Sequence, residues 1–188
     1  MSTMTPQRGS LWEVSARTVV YAAIGAALYA VFAQFSFILP GTQSVSIRPA
    51  FVFVTFFGFA FGPIVGLFTG AVGNALADQI SGWGLLTSWD WSLAAGAVGL
   101  LAGLVPSIWS GAKAGNARLI AAAVGSAVAV LIGYVIVILD IPLGTTADFN
   151  AFLTANYIPV VVANVLTVVI LMPILVTAWE PISERMGR

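Results

Sequence analysis

The sequence predicts an all-α membrane protein, a single domain of six transmembrane helices with both termini in the cytoplasm. Three observations point there. Sixty per cent of the 188 residues are apolar and only 7% are charged, against about a quarter charged in soluble domains. The charges are also clustered: between Arg17 and Lys113 the chain carries only Arg48, Asp78 and Asp90, so long apolar runs pass uninterrupted and belong in lipid. All six tryptophans, Trp12, Trp83, Trp89, Trp91, Trp109 and Trp179, fall at the ends of those runs, where an amphipathic indole suits the headgroup region.

Behind a polar N-terminal segment, residues 1–16, spans are expected at about 17–39, 48–61, 63–80, 91–109, 117–139 and 157–179. They are read as helices because a lipid-facing backbone must satisfy its own hydrogen bonds. The first run, Thr18 to Leu39, exceeds the apolar region of a signal peptide and is followed by equally apolar runs, so it is expected to stay as a span. The second is short. About 14 residues rising roughly 1.5 Å each give about 21 Å, against a hydrocarbon core of about 30 Å, which implies local thinning or a partly buried helix. Gly62-Pro63 separates it from the third, because proline removes an amide donor and disfavours helix in the residue before it. Six spans place Arg8, Arg17, Lys113, Arg118, Arg185 and Arg188 inside and only Arg48 outside. The best five-span arrangement divides the cations less unevenly, and the positive-inside rule therefore favours six.

Composition excludes most chemistry. With no cysteine and no histidine the chain has no disulfides, no Cys/His metal site and no Ser-His or Cys-His catalytic pair. No enzyme activity, cofactor or metal is expected. Net charge is zero and no basic stripe is present, so nucleic-acid binding has no electrostatic basis. There is no GxxxxGK[ST] phosphate loop, so energy for any transport has to come from a partner or a gradient.

On the six-span topology most of the polarity collects on the outer side. Asn74 and Asp78 are four apart and share one helix face, and Arg48 is the natural counter-charge for a carboxylate that is costly inside lipid. Asn164 sits about two turns into the last span, where a polar side chain faces the bundle interior. Amides, one cation, one carboxylate and aromatic rings together suit a flat heteroaromatic metabolite, whose rings stack while amides read its edge. The expected substrate-binding set is Gln43, Ser46, Arg48, Asn74, Asp78, Gln79, Trp83, Trp89, Trp91, Tyr157 and Asn164. Asp140 and Asp148, in a segment rich in Gly, Thr and Asn, read as solvated loop residues. Small residues recur at helical spacing: Gly62, Gly66 and Gly70, then Gly99 and Gly103, and also Ala22, Ala26 and Ala30. The glycine stripes are expected to pack helices internally. The first helix, small on nearly all sides at its start, is expected to pack with one face and dock a partner with the other.

Several motifs carry a family resemblance. Ala23-Ile24-Gly25-Ala26-Ala27-Leu28, Val45-Ser46-Ile47, Phe61-Gly62-Pro63-Ile64-Val65-Gly66 and Gly73-Asn74-Ala75-Leu76-Ala77-Asp78 resemble the S components of energy-coupling factor transporters. Within that group the likeness is to the riboflavin-transporter-like branch. Trp89 and Trp91 with Ala95-Gly96 and Gly99, and Ala163-Asn164, extend it over about residues 17–175. The resemblance implies a non-enzymatic, multi-pass subunit of a prokaryotic plasma membrane. Such a subunit binds a vitamin-like molecule at its outer face and delivers it by toppling. A transmembrane coupling subunit and two ATP-hydrolysing subunits would supply the energy, and small residues of the first helix, matched here by Ala22 and Ala26 and extended to Ala30, would contact the coupling helices. The branch commonly has a histidine where this chain has Asn74 and a lysine where it has Ala77. The alternative class, a self-sufficient secondary transporter or channel, is expected to show repeated halves or ionisable residues inside the spans; neither is evident.

Overall fold

A computed structural model describes residues 11–38, 46–109 and 115–185. Over these residues, apart from one two-residue strand pair, the regular structure is helical, in six stretches: α1 (Ala16–Phe32), α2 (Pro49–Phe61), α3 (Pro63–Ile80), α4 (Trp89–Ile108), α5 (Gly115–Asp140) and α6 (Phe149–Arg185). The last three are long and apolar enough to cross a membrane; α1 and α2 are shorter apolar helices.

Local chemistry sets the boundaries. Ser15 opens α1 with a capping box, its hydroxyl accepting from the Thr18 amide at 3.3 Å, which satisfies an amide that the helix leaves free. The first helix stops at Phe32 rather than near residue 39, and Phe37–Ile38 (β1) pairs antiparallel with Ser46–Ile47 (β2). Between α2 and α3 the chain turns at Gly62, whose φ of 106° and ψ of 168° lie in a region essentially closed to residues with a Cβ, and Pro63 then opens α3 with its φ already helical. The loop after α5 is shorter than expected. The sixth helix begins at Phe149, capped by Asp148 accepting from the Ala151 amide at 2.8 Å, and includes a π-helical stretch over Phe152–Tyr157.

Packing depends on small residues. α3 crosses α4 where Gly66 meets Gly99 backbone to backbone and Gly70 meets Ala95, with no room for a side chain at either glycine. Close approach of this kind replaces the hydrophobic effect as the driver of association in lipid, since the tails are as apolar as the side chains. Ala22, Ala26 and Ala30 are buried in the face of α1 that packs on α3, and Ala26 lies where a Cβ on Gly73 would touch it. This corrects the expectation that they present the coupling surface: they are internal packing residues. The outward face of α1 carries Val20, Ala23, Ile24, Ala27 and Val31 instead.

Substituting Gly99→Leu is expected to force α3 from α4 and destabilise the bundle by at least about 1–3 kcal/mol, the usual cost of overpacking. Thermal unfolding in detergent checks it, with Leu101→Ala as a control for an ordinary change of size in the same helix; an unchanged melting temperature for Gly99→Leu would refute the crossing.

Candidate functional site

A cavity of about 440 Å³ lies where alternate helix ends meet. Tyr29 near the end of α1, Asn74 and Asp78 late in α3, and Tyr134 and Asp140 at the end of α5 face Arg48 and Phe51 at the start of α2, Asp90 and Trp91 at the start of α4, and Asn156 and Asn164 early in α6. Six helices alternating in direction therefore share one polar end.

One wall is an ion-pair cluster. The Arg48 guanidinium lies 3.0 Å from Asp78 Oδ1 through Nη2 and donates through Nη1 to Asn74 Oδ1 at 3.2 Å. Asn74 Nδ2 in turn donates to Asp78 Oδ2 at 3.0 Å and to Ser92 Oγ at 3.2 Å, while the Tyr29 hydroxyl donates to Asn74 Oδ1 at 3.1 Å. The helical spacing of Asn74 and Asp78 puts both on the cavity face, as expected from their separation of four. Because the guanidinium is paired and its acceptor is itself hydrogen-bonded, the charges are held away from water without an orphaned partner.

The opposite wall was not expected. Asp140 is only 5% exposed, and its Oδ2 accepts from the Trp91 indole at 3.0 Å and from Asn156 Nδ2 at 3.1 Å, with Oδ1 accepting from the Thr145 hydroxyl at 2.6 Å. Asn156 also donates to Thr146 Oγ1 at 2.8 Å. The solvated-loop reading of Asp140 is thus corrected: the chain after α5 turns back through Thr145 and Thr146, whose amides both donate to the Asp140 carbonyl, and the carboxylate becomes the hub of a buried network. Asp148 is exposed as expected, and serves as the cap of α6.

Between the walls runs a ladder of rings, Tyr29–Phe51–Tyr134–Trp91, with successive centroids 6.1, 5.6 and 6.3 Å apart. Of the residues singled out in the sequence, Ser46, Arg48, Asn74, Asp78, Trp83, Trp89, Trp91 and Asn164 line the cavity. Gln79 is exposed and off the Asn74–Asp78 face, and the Tyr157 hydroxyl donates to the Leu131 carbonyl at 2.7 Å; neither lines it. Gln43 lies outside the described residues. Tyr29, Phe51, Tyr134, Asp90 and Asp140 are among the further lining residues and had not been singled out for it. The rings gave no sequence signal distinguishing them from core aromatics.

A model of the family described as ECF-type riboflavin transporter, S component, matches residues 13–180. The chain belongs to this family. It is a family of membrane transport subunits, not of enzymes. Curated relatives are UPF0397 proteins of Aliivibrio and Vibrio. That of Aliivibrio fischeri strain MJ11 is 39% identical over 96 residues, covering 51% of each chain. Those of Aliivibrio salmonicida and Vibrio atlanticus are 39% identical over 94 residues and 40% over 92, covering about half of each chain. This S component thus spans about half the length of the curated relatives it matches. No solved structure shows a significant match.

Replacing Asp140 by Ala would strand the Trp91 indole and remove one acceptor each from Asn156 and Thr145, which keep Thr146 Oγ1 and the backbone carbonyl of residue 140, and is expected to destabilise the protein by about 2 kcal/mol, since a buried unpaired group costs about 1–3. Asp148→Ala removes one exposed cap and should cost about 1 kcal/mol. Equal losses in thermal or denaturant unfolding would show that the Asp140 network is not formed.

Proposed function

We propose that this S component crosses the membrane six times with both termini in the cytoplasm and binds a vitamin-like heteroaromatic molecule in the cavity at its outer face. Docked on a transmembrane coupling subunit powered by two ATP-hydrolysing subunits, it delivers that molecule by toppling. The observation that carries the reading is the cavity itself. Its volume falls in the range of small-molecule sites, rings line it from one side to the other, and amides and charges stand at its edges. Flat heterocycles are recognised by that combination, stacking on rings and hydrogen-bonding along the edge. Arg48, Asp78 and Asn164 are the proposed polar readers, with Asn74, whose amide is fully engaged, holding Arg48 and Asp78 at the wall; Ser46 is an edge contact, and Trp83, Trp89 and Trp91 are the rings of the site.

The orientation has support from charge. Arg17, Arg118 and Arg185 sit at or near the helix ends away from the cavity, and Arg48 is the one arginine at the cavity end among the described residues, the distribution favoured with the cavity outside. The alternation of helix directions around the cavity fits six crossings, and the shortness of α2 fits a thinned bilayer beside it. For docking, the outward face of α1 replaces the buried alanine stripe: Ala23 and Ala27 are small, exposed and flanked by Val20 and Ile24, a surface that lets a partner helix approach closely.

The purified protein is expected to bind one heterocycle at one-to-one stoichiometry without ATP or an ion gradient, reported by quenching of tryptophan fluorescence. Asp78→Ala and Asn164→Ala should each weaken binding about tenfold or more, a loss of about 1.4 kcal/mol, with the helical circular-dichroism spectrum unchanged; normal affinity in both removes the assignment. Uptake by the lone chain in sealed vesicles under an ion gradient would overturn the dependence on partners. Ala23→Trp with Ala27→Trp should abolish uptake by the complete transporter while leaving binding intact, and uptake that survives the double change would place the docking surface elsewhere.

A further inference from the structure

The two walls of the cavity differ in charge. Across Arg48, Asp78 is neutralised and Asn74 is fully engaged. On the other side Asp90 and Asp140 stand together, side chain against side chain, and Arg48 is the one cation among the described residues of the lining. One guanidinium of the lining faces three carboxylates, so the ionised cavity is net negative. Asp140 has its donors: the indole, the amide and the hydroxyl already described. Asp90 does not. It is only 2% exposed, lines the cavity, and its Oδ2 has no hydrogen-bond partner among the described residues.

An unpaired carboxylate oxygen out of water is costly, and a second carboxylate beside it raises that cost through like-charge repulsion. Its position in the first turn of α4 favours the ionised form through the helix N-terminus, but supplies no donor to Oδ2. What remains to satisfy it is a proton shared with Asp140 or a donor that enters from the cavity. Trp91 and Tyr134, edge to face at 6.3 Å, line the same side, and ring faces attract cations.

Resting on the proposed binding of a heterocycle in this cavity, we propose that the ligand is positively charged or carries a protonated amine, and that this cationic edge is received by Asp90, backed by Asp140, between the rings of Trp91 and Tyr134. The Arg48–Asp78 wall then reads the neutral, hydrogen-bonding edge. A ligand bearing a phosphate or carboxylate at the Asp90 end is excluded by repulsion. The proposal assigns a chemical class of ligand and gives Asp90 the role of specificity determinant.

The test uses the full chain in nanodiscs and three sets of probes: cationic (thiamine, pyridoxamine), neutral (pyridoxine, riboflavin) and anionic (pyridoxal phosphate, flavin mononucleotide). Pyridoxamine and pyridoxine share a ring and differ in the amine. Tryptophan quenching and thermal shift are measured on the wild type and on Asp90→Asn, which keeps the shape and removes the charge. Binding is expected within the cationic set. Asp90→Asn should weaken it tenfold or more while the melting temperature of the empty protein stays the same or rises, because the substitution relieves repulsion; that pairing separates a lost contact from a damaged fold. Binding confined to neutral or anionic probes, or cation affinity unchanged in Asp90→Asn, overturns the inference and leaves the binding role standing. In the last case Asp90 is a protonated structural acid that the amide replaces. Absence of binding by all six probes counts against the cavity as a heterocycle site, and the inference falls with it.

Discussion

A guanidinium placed inside a lipid-embedded bundle has to be paired, and much of the architecture follows from how this chain pairs Arg48. Leaving such a charge uncompensated costs several kcal/mol even after relaxation. Arg48 follows the short strand β2 and precedes Pro49, so its backbone is extended and its side chain is free to reach across the start of α2. There it meets Asp78 and Asn74 on α3, and through Asn74 also Tyr29 on α1 and Ser92 on α4. Four segments that are distant in sequence are tied at one point. Because each member has a defined partner, the cluster fixes a single arrangement of helix ends, which is what a preorganised binding wall requires.

The cluster works only because the helices beneath it approach so closely. Asn74 can reach Ser92 because α3 and α4 touch through backbone at Gly66, Gly70 and Gly99. Away from that pair the helices are less regular, and the irregularities cluster at the cavity. α5 ends in a 3-10 stretch from Tyr134 to Asp140, and α6 carries its π-helical stretch over Phe152–Tyr157. Both deliver lining residues, Tyr134 and Asp140 from one and Asn156 from the other. Departures of these kinds from α geometry concentrate at functional sites, since they turn side chains that a regular helix would direct elsewhere.

The legible part of the sequence was the part written in helical period and in the cost of charge in lipid. Asn74 and Asp78 share a face because they are four apart, and Arg48 is drawn to them because no other cation stands between Arg17 and Lys113. Both arguments need only one helix and one rule. The Asp140 wall needed more. Its polarity, with Gly144, Thr145, Thr146 and Asp148 following, is that of a solvated loop, and only tertiary contact with Trp91 and Asn156 turns it into a buried hub. The same polar composition hid the start of α6, while at the other end of the chain apolar residues hid a boundary: Phe37–Ile38 continue the hydrophobic run of α1, and hydropathy does not distinguish a strand from a helix. For α1 the sequence offered two small-residue faces, and which one turns inward depends on Gly73 of α3, a partner that periodicity within α1 does not reveal.

The contrast between the two walls bears on how an empty binding subunit stays folded yet remains selective. On the Arg48 side the charged and amide groups find their partners within the protein, so that wall contributes to stability and reads shape with little rearrangement. On the Asp90 side one buried oxygen lacks a partner among the described residues, and under the proposed role of Asp90 a ligand donor would relieve that cost. Binding energy drawn from relief of such a deficit is selective in a way that added contact is not: an apolar or anionic molecule of the same shape gains the stacking but leaves the carboxylate unpaired. A structurally optimal chain would place an amide at position 90. On the proposed role of Asp90, the acid in that place trades stability of the unoccupied protein for discrimination among ligands, the exchange expected where a site selects what it binds.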